Sequence, residues 1–324
     1  MSPAPIRFDR FQHQALYGPN GFYNRGGAAG AVNDFMTSVE ASSSFAEALT
    51  VELDALWHRL GCPNPFLVAE GGSGVGSLAL QCLAARTQCR EALHWVMIET
   101  SVGQRALAAE RLEQAGLLDD GKVSYAAELR QLGDGPSVHA VVANELLDNL
   151  AVRVVRRDDH DTFSELYVDP SEPSIESWQR LDGNDLVRCT RHATNVQPGC
   201  QFPLADRAVA WTWAALERLV DGGQAILIDY GADTAELSQR PERGWLRFYR
   251  GHQRRSISDA TTGGVDITAD VPFDQLPGKP TLTSQRRWLI ERLPELARPA
   301  DMGQMAITDP HGMGGFVVAT WTKA

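Results

Sequence analysis

The chain has 324 residues, 43% hydrophobic and 22% charged, which is enough for one large α/β domain or a core with a substantial insertion and excludes disordered and collagen-like classes. A formal net charge of -11 argues against a nucleic-acid partner and favours a small molecule or a basic protein segment. Cys62, Cys82, Cys89, Cys189 and Cys200 form no CxxC pair and no 18-residue apolar run occurs, so reduced thiols, no membrane insertion and a cytoplasmic location are expected.

The first 35 residues are rich in glycine and aromatics and read as a loop-dominated segment. At Thr37 a capping-box pattern with Glu40 opens a helix whose residues Phe45, Leu49, Leu53, Leu56, Trp57 and Leu60 share one face and which Gly61 stops. FLVAEGG (66–72) predicts a strand entering a glycine turn, SLALQCLAART a helix, and HWVMIET (94–100) a second strand. QRALAAERLEQAG predicts a helix, KVSYAAEL a weak strand and VHAVVANE (138–145) a strong one. Strands alternating with helices predict βαβ units and a doubly wound, mainly parallel sheet. The pattern breaks over 151–205, where VRVVRRDDHDTFSELYVD suits a hairpin, and resumes with the helix AVAWTWAALERLVDGG and the strand QAILIDYG (224–231). A second irregular stretch starts at Gly244, and MAITDP with GGFVVATW predicts a terminal hairpin.

Three stretches carry chemistry. In EGGSGVG, from Glu70 to Gly76, glycines at 72, 74 and 76 let the backbone turn tightly and approach a ligand with no Cβ in the way. Such a turn fits nucleotide, flavin or S-adenosylmethionine, or no ligand at all; the NAD spacing fails from Gly72 because position 77 is Ser. Glu99, closing the second strand, suits both ribose hydroxyls of an adenosine, or else caps the next helix. Asn144, Glu145 and Asp148 follow the strong strand, where ligands of open α/β sheets sit; the alternative is an acidic first turn of a helix.

YGPNGFY, NDFMTSVEASSSF, VAEGGSGVG, MIETS, ANELLDNL, ILIDYG, GWLRFYRGH and GGVDITADVPF, in this order, resemble the MidA family across roughly residues 8–320. The resemblance implies a class I methyltransferase fold: a Rossmann-like, mainly parallel seven-stranded sheet with a terminal antiparallel hairpin. It also implies S-adenosyl-L-methionine as methyl donor and no metal, and its mitochondrial branch points to an arginine of a complex I subunit as acceptor. Carried onto this chain, Glu70, Gly72, Gly74 and Gly76 would cradle the cofactor, Glu99 would bind its ribose, Thr37 and Ser38 would fold over it, and Asn144 would border it. Glu145 and Asp148 would orient the acceptor, His252 would act as base, and Tyr249 and Asp266 would lie near the acceptor. Val39 and Asp270 depart from the family pattern.

The expected organisation is an N-terminal loop and helix cap (1–60), a methyltransferase core (61–150 and 206–324), an inserted hairpin element (151–205) and a second inserted acceptor-side segment (244–275). The leading expectation is N-methylation of a protein arginine. A methyltransferase of small molecules or peptides, and a non-catalytic assembly factor that keeps the fold, are the alternatives. The oligomeric state is open, a homodimer included.

Overall fold

The alternation of strands and helices is realised as a seven-stranded sheet in the computed structural model, which describes residues 4–25, 37–118, 121–135, 137–159, 161–251, 253–262 and 264–324. The strands of this sheet are β1 (Phe66–Gly71), β2 (Leu93–Ile98), β3 (Val123–Ala126), β4 (Val138–Asn144), β5 (Leu219–Asp229), β6 (Thr281–Ser284) and β7 (Val317–Thr322). Their order is β3-β2-β1-β4-β5-β7-β6, with β1 to β5 parallel and the last two antiparallel. Val138, Ala140, Val141, Val142 and Ala143 are all buried, which is what a central parallel strand covered on both faces requires. Fully buried Phe45, Phe66, Trp95 and Trp288 join one core between the sheet and its helices, each side chain contributing about 1.5–3 kcal/mol.

Three elements differ from expectation for local reasons. The N-terminal segment expected as loop-dominated carries the helix Phe8–Tyr17, whose buried Phe8, Phe11, Gln12, Ala15 and Leu16 recur at helical spacing. The helix expected from Thr37 divides: Thr37 and Glu40 cap a short Ser38–Ala41 turn, and Ser42, extended at φ -158 and ψ 136, accepts the Ser44 N–H and starts a second helix, Ser43–Arg59. Consecutive serines offer the backbone this second cap. The expected terminal hairpin also changes partner, because MAIT belongs to the helix Met302–Thr308, capped by Asp301 on the Gln304 N–H. β7 pairs instead with β6, Thr281 opposite Thr320; a run as short as MAIT, three apolar residues and a threonine, fits helix and strand equally.

The described residues divide into two compact units. One comprises those of Ala28–Leu146, Thr212–Tyr230 and Gly278–Ala324 and holds the seven-stranded sheet; the other comprises those of Met1–Gly27, Leu147–Trp211 and Gly231–Pro277. In the second unit VRVVRRDDHDTFSELYVD folds as the antiparallel pair Arg153–Asp159 and Thr162–Val168, within a five-stranded sheet that also takes Ile6–Arg7, Glu176–Arg180 and Gln201–Leu204. A buried ion network fixes it: Arg153, 3% exposed, reaches Glu165 at 2.9 Å, Asp185 at 2.8 Å and Asp206 at 3.4 Å. A three-stranded sheet, Gln253–Arg254, Leu246–Arg250 and Asp266–Ala269, completes this unit, and fully buried Gln12 ties its Ile267 carbonyl (3.0 Å) to the Val152 N–H (2.9 Å).

Among the described residues no helix is long and apolar enough to cross a membrane. All five cysteines are free thiols, and burial pushes Cys89 and Cys189 up to about 12.

Candidate active site

The site is built where β1, β2 and β4 end. After β1 the chain turns through Gly72, Gly74 and Gly76 at φ +64, +52 and +78, a region that non-glycine residues enter only at about 1–2 kcal/mol each. The three glycines do different work. A Cβ on Gly72 would stand 2.8 Å from Leu146 Cδ1, and one on Gly76 would press on Met97 Cε at 3.1 Å and Ala108 Cβ at 3.2 Å, so these two permit close packing. A Cβ on Gly74 would meet nothing nearer than the Gly72 carbonyl at 4.0 Å; that glycine leaves an open face. The turn is held by Gly72 and Ser73 N–H bonds to the Ile98 carbonyl, 2.8 and 3.2 Å long, and leads into the helix Ser77–Ala84.

Glu99 follows β2, and its carboxylate accepts the N–H of Gly74 at 3.1 Å and of Ser101 at 2.8 Å. The next helix is capped by Ser101 itself, on the Gln104 N–H, so Glu99 is not its cap. Burial raises the Glu99 carboxyl above its ordinary value, and the two N–H groups oppose that rise. With about four lone-pair sites on a carboxylate, it can hold the glycine turn and still receive hydroxyl donors. Glu70 is placed differently from the glycines it precedes: its carboxylate, 4% exposed, accepts the Trp95 indole N–H at 2.7 Å. Burial lifts it to about 8, the indole N–H counteracting and the charge of Glu99 adding.

At the end of β4, Asn144 donates to Glu145 Oε1 at 3.1 Å, and the same oxygen accepts the Ser38 N–H at 3.0 Å. Glu145 stands at φ +51, with its own N–H on the Ile228 carbonyl at 2.8 Å. The alternative of an acidic first helical turn finds only the short 3-10 turn Leu147–Asn149 here. The Thr37 turn, through Ser38, is thus fastened to the end of β4 and also to fully buried Gln285, 3.1 Å from Ser38 Oγ. Gln285 and Ser73 escape sequence reasoning: Gln285 lies far along the chain, and Ser73 was one polar residue in a glycine run.

A cofactor can be tested against two buried atoms. Among the described residues Ser73 Oγ and Asn144 Oδ1 have no hydrogen-bond partner. An orphaned buried polar atom costs about 1–3 kcal/mol, so atoms left this way beside a glycine turn suit a bound polar ligand. Together with the open face at Gly74 and the carboxylate of Glu99, they fit a nucleoside-bearing group.

Thr37, Ser38, the three glycines, Glu99, Asn144 and Glu145 all belong to the sheet unit, whereas Asp148, Tyr249 and Asp266 belong to the second. There the strand carrying Asp266 packs against the turn carrying Asp148, and Asp266 pairs directly with Tyr249 across the ladder. Asp148 and Asp266 are each 3% exposed, and Asp148 accepts the Asn149 amide at 2.9 Å. His252 lies outside the described residues. Asp270 is 2% exposed and ion-paired to Arg240 and, at 2.6 Å, to Arg247.

A mainly parallel sheet of this order, closed by antiparallel pairings at β7, with a glycine turn after its first strand and an acid after its second, defines the class I methyltransferase architecture. Residues 48–286 match the profile of a family described as S-adenosyl-L-methionine-dependent methyltransferases, and the chain belongs to that family. Its curated relatives include the mitochondrial protein arginine methyltransferase NDUFAF7 of Danio rerio, 25% identical over 85% of this chain and 68% of the relative. The homologue from Drosophila melanogaster is 25% identical over 84% of this chain and 66% of its own length; the chain therefore spans about two thirds of these proteins. Among solved structures, a COG1565 superfamily member from Burkholderia thailandensis bound to S-adenosyl-homocysteine shares the fold, with a TM-score of 0.78 at 24% identity over 98% of this chain and 88% of that one. A native structure from the same organism gives a TM-score of 0.80 at 22% identity, over 98% of this chain and 87% of that one. S-adenosyl-L-methionine is accordingly the methyl donor of the family.

Proposed function

We propose that the protein N-methylates an arginine side chain of a protein acceptor. The observation that carries this reading is the likeness over 85% of the chain to relatives named protein arginine methyltransferases, joined to an intact Asn144, Glu145 and Asp148. When bound, S-adenosyl-L-methionine would supply an electrophilic methyl group for an acceptor nitrogen, with the C–S electron pair left on sulfur and one N–H proton lost to a carboxylate or water. The chain's own residues do the positioning. Gly72, Ser73 and Gly74 would line the donor with backbone and one hydroxyl, Glu99 would receive the ribose hydroxyls, and Asn144 would offer its carbonyl oxygen. Glu145, in the sheet unit, is the carboxylate assigned to the guanidinium, which it orients through charge-assisted hydrogen bonds. Holding reactants at near-attack geometry supplies on the order of 7 kcal/mol or more of a displacement barrier.

The cytoplasm is the compartment that accords with five free thiols. The test is incubation of the protein with methyl-labelled S-adenosyl-L-methionine in a lysate of a deletion strain. Label recovered as methylarginine in protein is the expected result; label confined to small molecules would replace this reading with the biosynthetic one, and no incorporation would favour a non-catalytic assembly factor.

A further inference from the structure

The second unit contains a guanidinium cage. Arg243 donates two 2.6 Å hydrogen bonds to the two oxygens of Glu176 and a third, from Nε at 2.5 Å, to Gln201 Oε1. Its guanidinium also lies 5.8 Å from the centre of the Trp178 ring, within cation–π range. A bidentate carboxylate, an amide acceptor on Nε and an aromatic face are the elements by which a planar arginine is distinguished from lysine.

The occupant is held in a strained way. Glu242 and Arg243 are consecutive non-glycine residues at φ +50 and +54, beside Pro241, and single residues at such angles are already uncommon. The cage also opens on a cavity of about 430 Å³ lined by Glu176, Cys200, Gln201, Arg240 and Arg243, so the groups that hold Arg243 are reachable from solvent. A buried structural ion pair needs neither a strained approach nor an adjoining cavity; in the same unit Arg153 and Glu165 pair with both side chains 4% exposed and neither at a positive φ.

We propose that this cage is an arginine-receiving subsite, filled in this structure by the chain's own Arg243 and opened when an arginine of the acceptor displaces it. The inference rests on the reading of an arginine-bearing protein acceptor and adds a second place at which that acceptor is recognised. Release of the Pro241–Arg243 turn would offset part of what is lost when Arg243 leaves.

The experiment is calorimetric binding of the blocked peptide Gly-Arg-Gly to the full chain, with Gly-Lys-Gly as control, for wild type, Arg243→Ala and Arg243→Ala/Glu176→Gln, each checked by thermal melting. Arg243→Ala is expected to bind the arginine peptide at least tenfold more tightly than wild type, to ignore the lysine peptide, and to lose the gain when Glu176→Gln is added. Should Arg243→Ala fail to fold, Arg243→Lys keeps a cation without the planar fork and is expected to show a smaller gain of the same sign. Unchanged or weaker binding in the folded single variant, or a gain that survives Glu176→Gln, overturns the subsite. Failure of the acceptor reading looks different: tighter binding without methylation of any arginine leaves the subsite standing, whereas arginine methylation with a KM indifferent to Arg243→Ala removes the subsite alone.

Discussion

Glu70→Gln is the sharpest test of how the sheet unit handles a buried acid. The Glu70 carboxyl is 4% exposed, bonded to Trp95 Nε1 at 2.7 Å, and lifted from 4.5 to about 8 by burial. Below pH 4.5 both folded and unfolded chains hold the proton and the group is neutral with respect to stability. Between 4.5 and about 8 the unfolded chain releases it while the folded chain keeps it, so stability falls as pH rises through this window and levels off above it. At about 1.4 kcal/mol per decade the full difference is about 5 kcal/mol. Glutamine retains an acceptor for Trp95 and cannot ionise, so the variant escapes the loss. Urea denaturation of both proteins at pH 5, 6.5 and 8 should show the variant gaining on wild type by several kcal/mol from the first condition to the last. A difference that stays constant with pH, or moves the other way, would refute the argument that Glu70 is held protonated by its surroundings.

Three further outcomes are expected. Gly74→Val places its side chain in the open face of the turn at φ +52, so the fold should survive with a loss of about 2 kcal/mol while calorimetry shows no heat with S-adenosyl-L-methionine. Glu145→Gln and Asp148→Asn should retain donor binding and lose methyl transfer at least tenfold; full turnover in both would return these acids to a structural role. Arg153→Ala strips the hydrogen-bonded partner from Glu165, whose side chain is 4% exposed and which then keeps only Arg7 at 3.6 Å among its recorded ion pairs, and should destabilise by about 3 kcal/mol in urea titrations, a loss that Arg153→Met with Glu165→Leu should largely recover.

The strand ends and glycine turn of the sheet unit are legible in the sequence because their signals are local. Continuous apolar runs marked β1, β2 and β4, the glycines announced a turn that three left-handed φ values confirm, and Glu99 falls where a strand ends. The rest depends on pairings between distant residues. Nothing in GWLRFYRGH or GGVDITADVPF shows that Tyr249 will stand opposite Asp266, or that Gln12 will bridge Ile267 and Val152. MAIT misleads because three apolar residues and a threonine carry no period, and Ser42 interrupts a helix whose amphipathic face is otherwise continuous. Glu70 shows a subtler limit: its place in the motif is plain, but its rotamer is decided by Trp95, 25 residues away.

Glu145 joins the legible and the illegible parts. The chain leaves β4 at a left-handed angle that glycine would take without strain, and the sequence supplies glutamate, at about 1–2 kcal/mol. The carboxylate is what glycine would lack: it fastens the Ser38 N–H, and with it the Thr37 turn, to the strand that also carries Asn144. Local strain is therefore retained where one side chain holds the N-terminal turn against the donor-side residues. Asp270, by contrast, meets its charge inside the second unit, on Arg240 and Arg247. A change at 270 is expected to leave the Gly74–Glu99 and Asn144–Glu145 hydrogen bonds in place, so that, on the proposed assignment, the acceptor-side segment can diverge while the residues proposed for the donor keep their contacts.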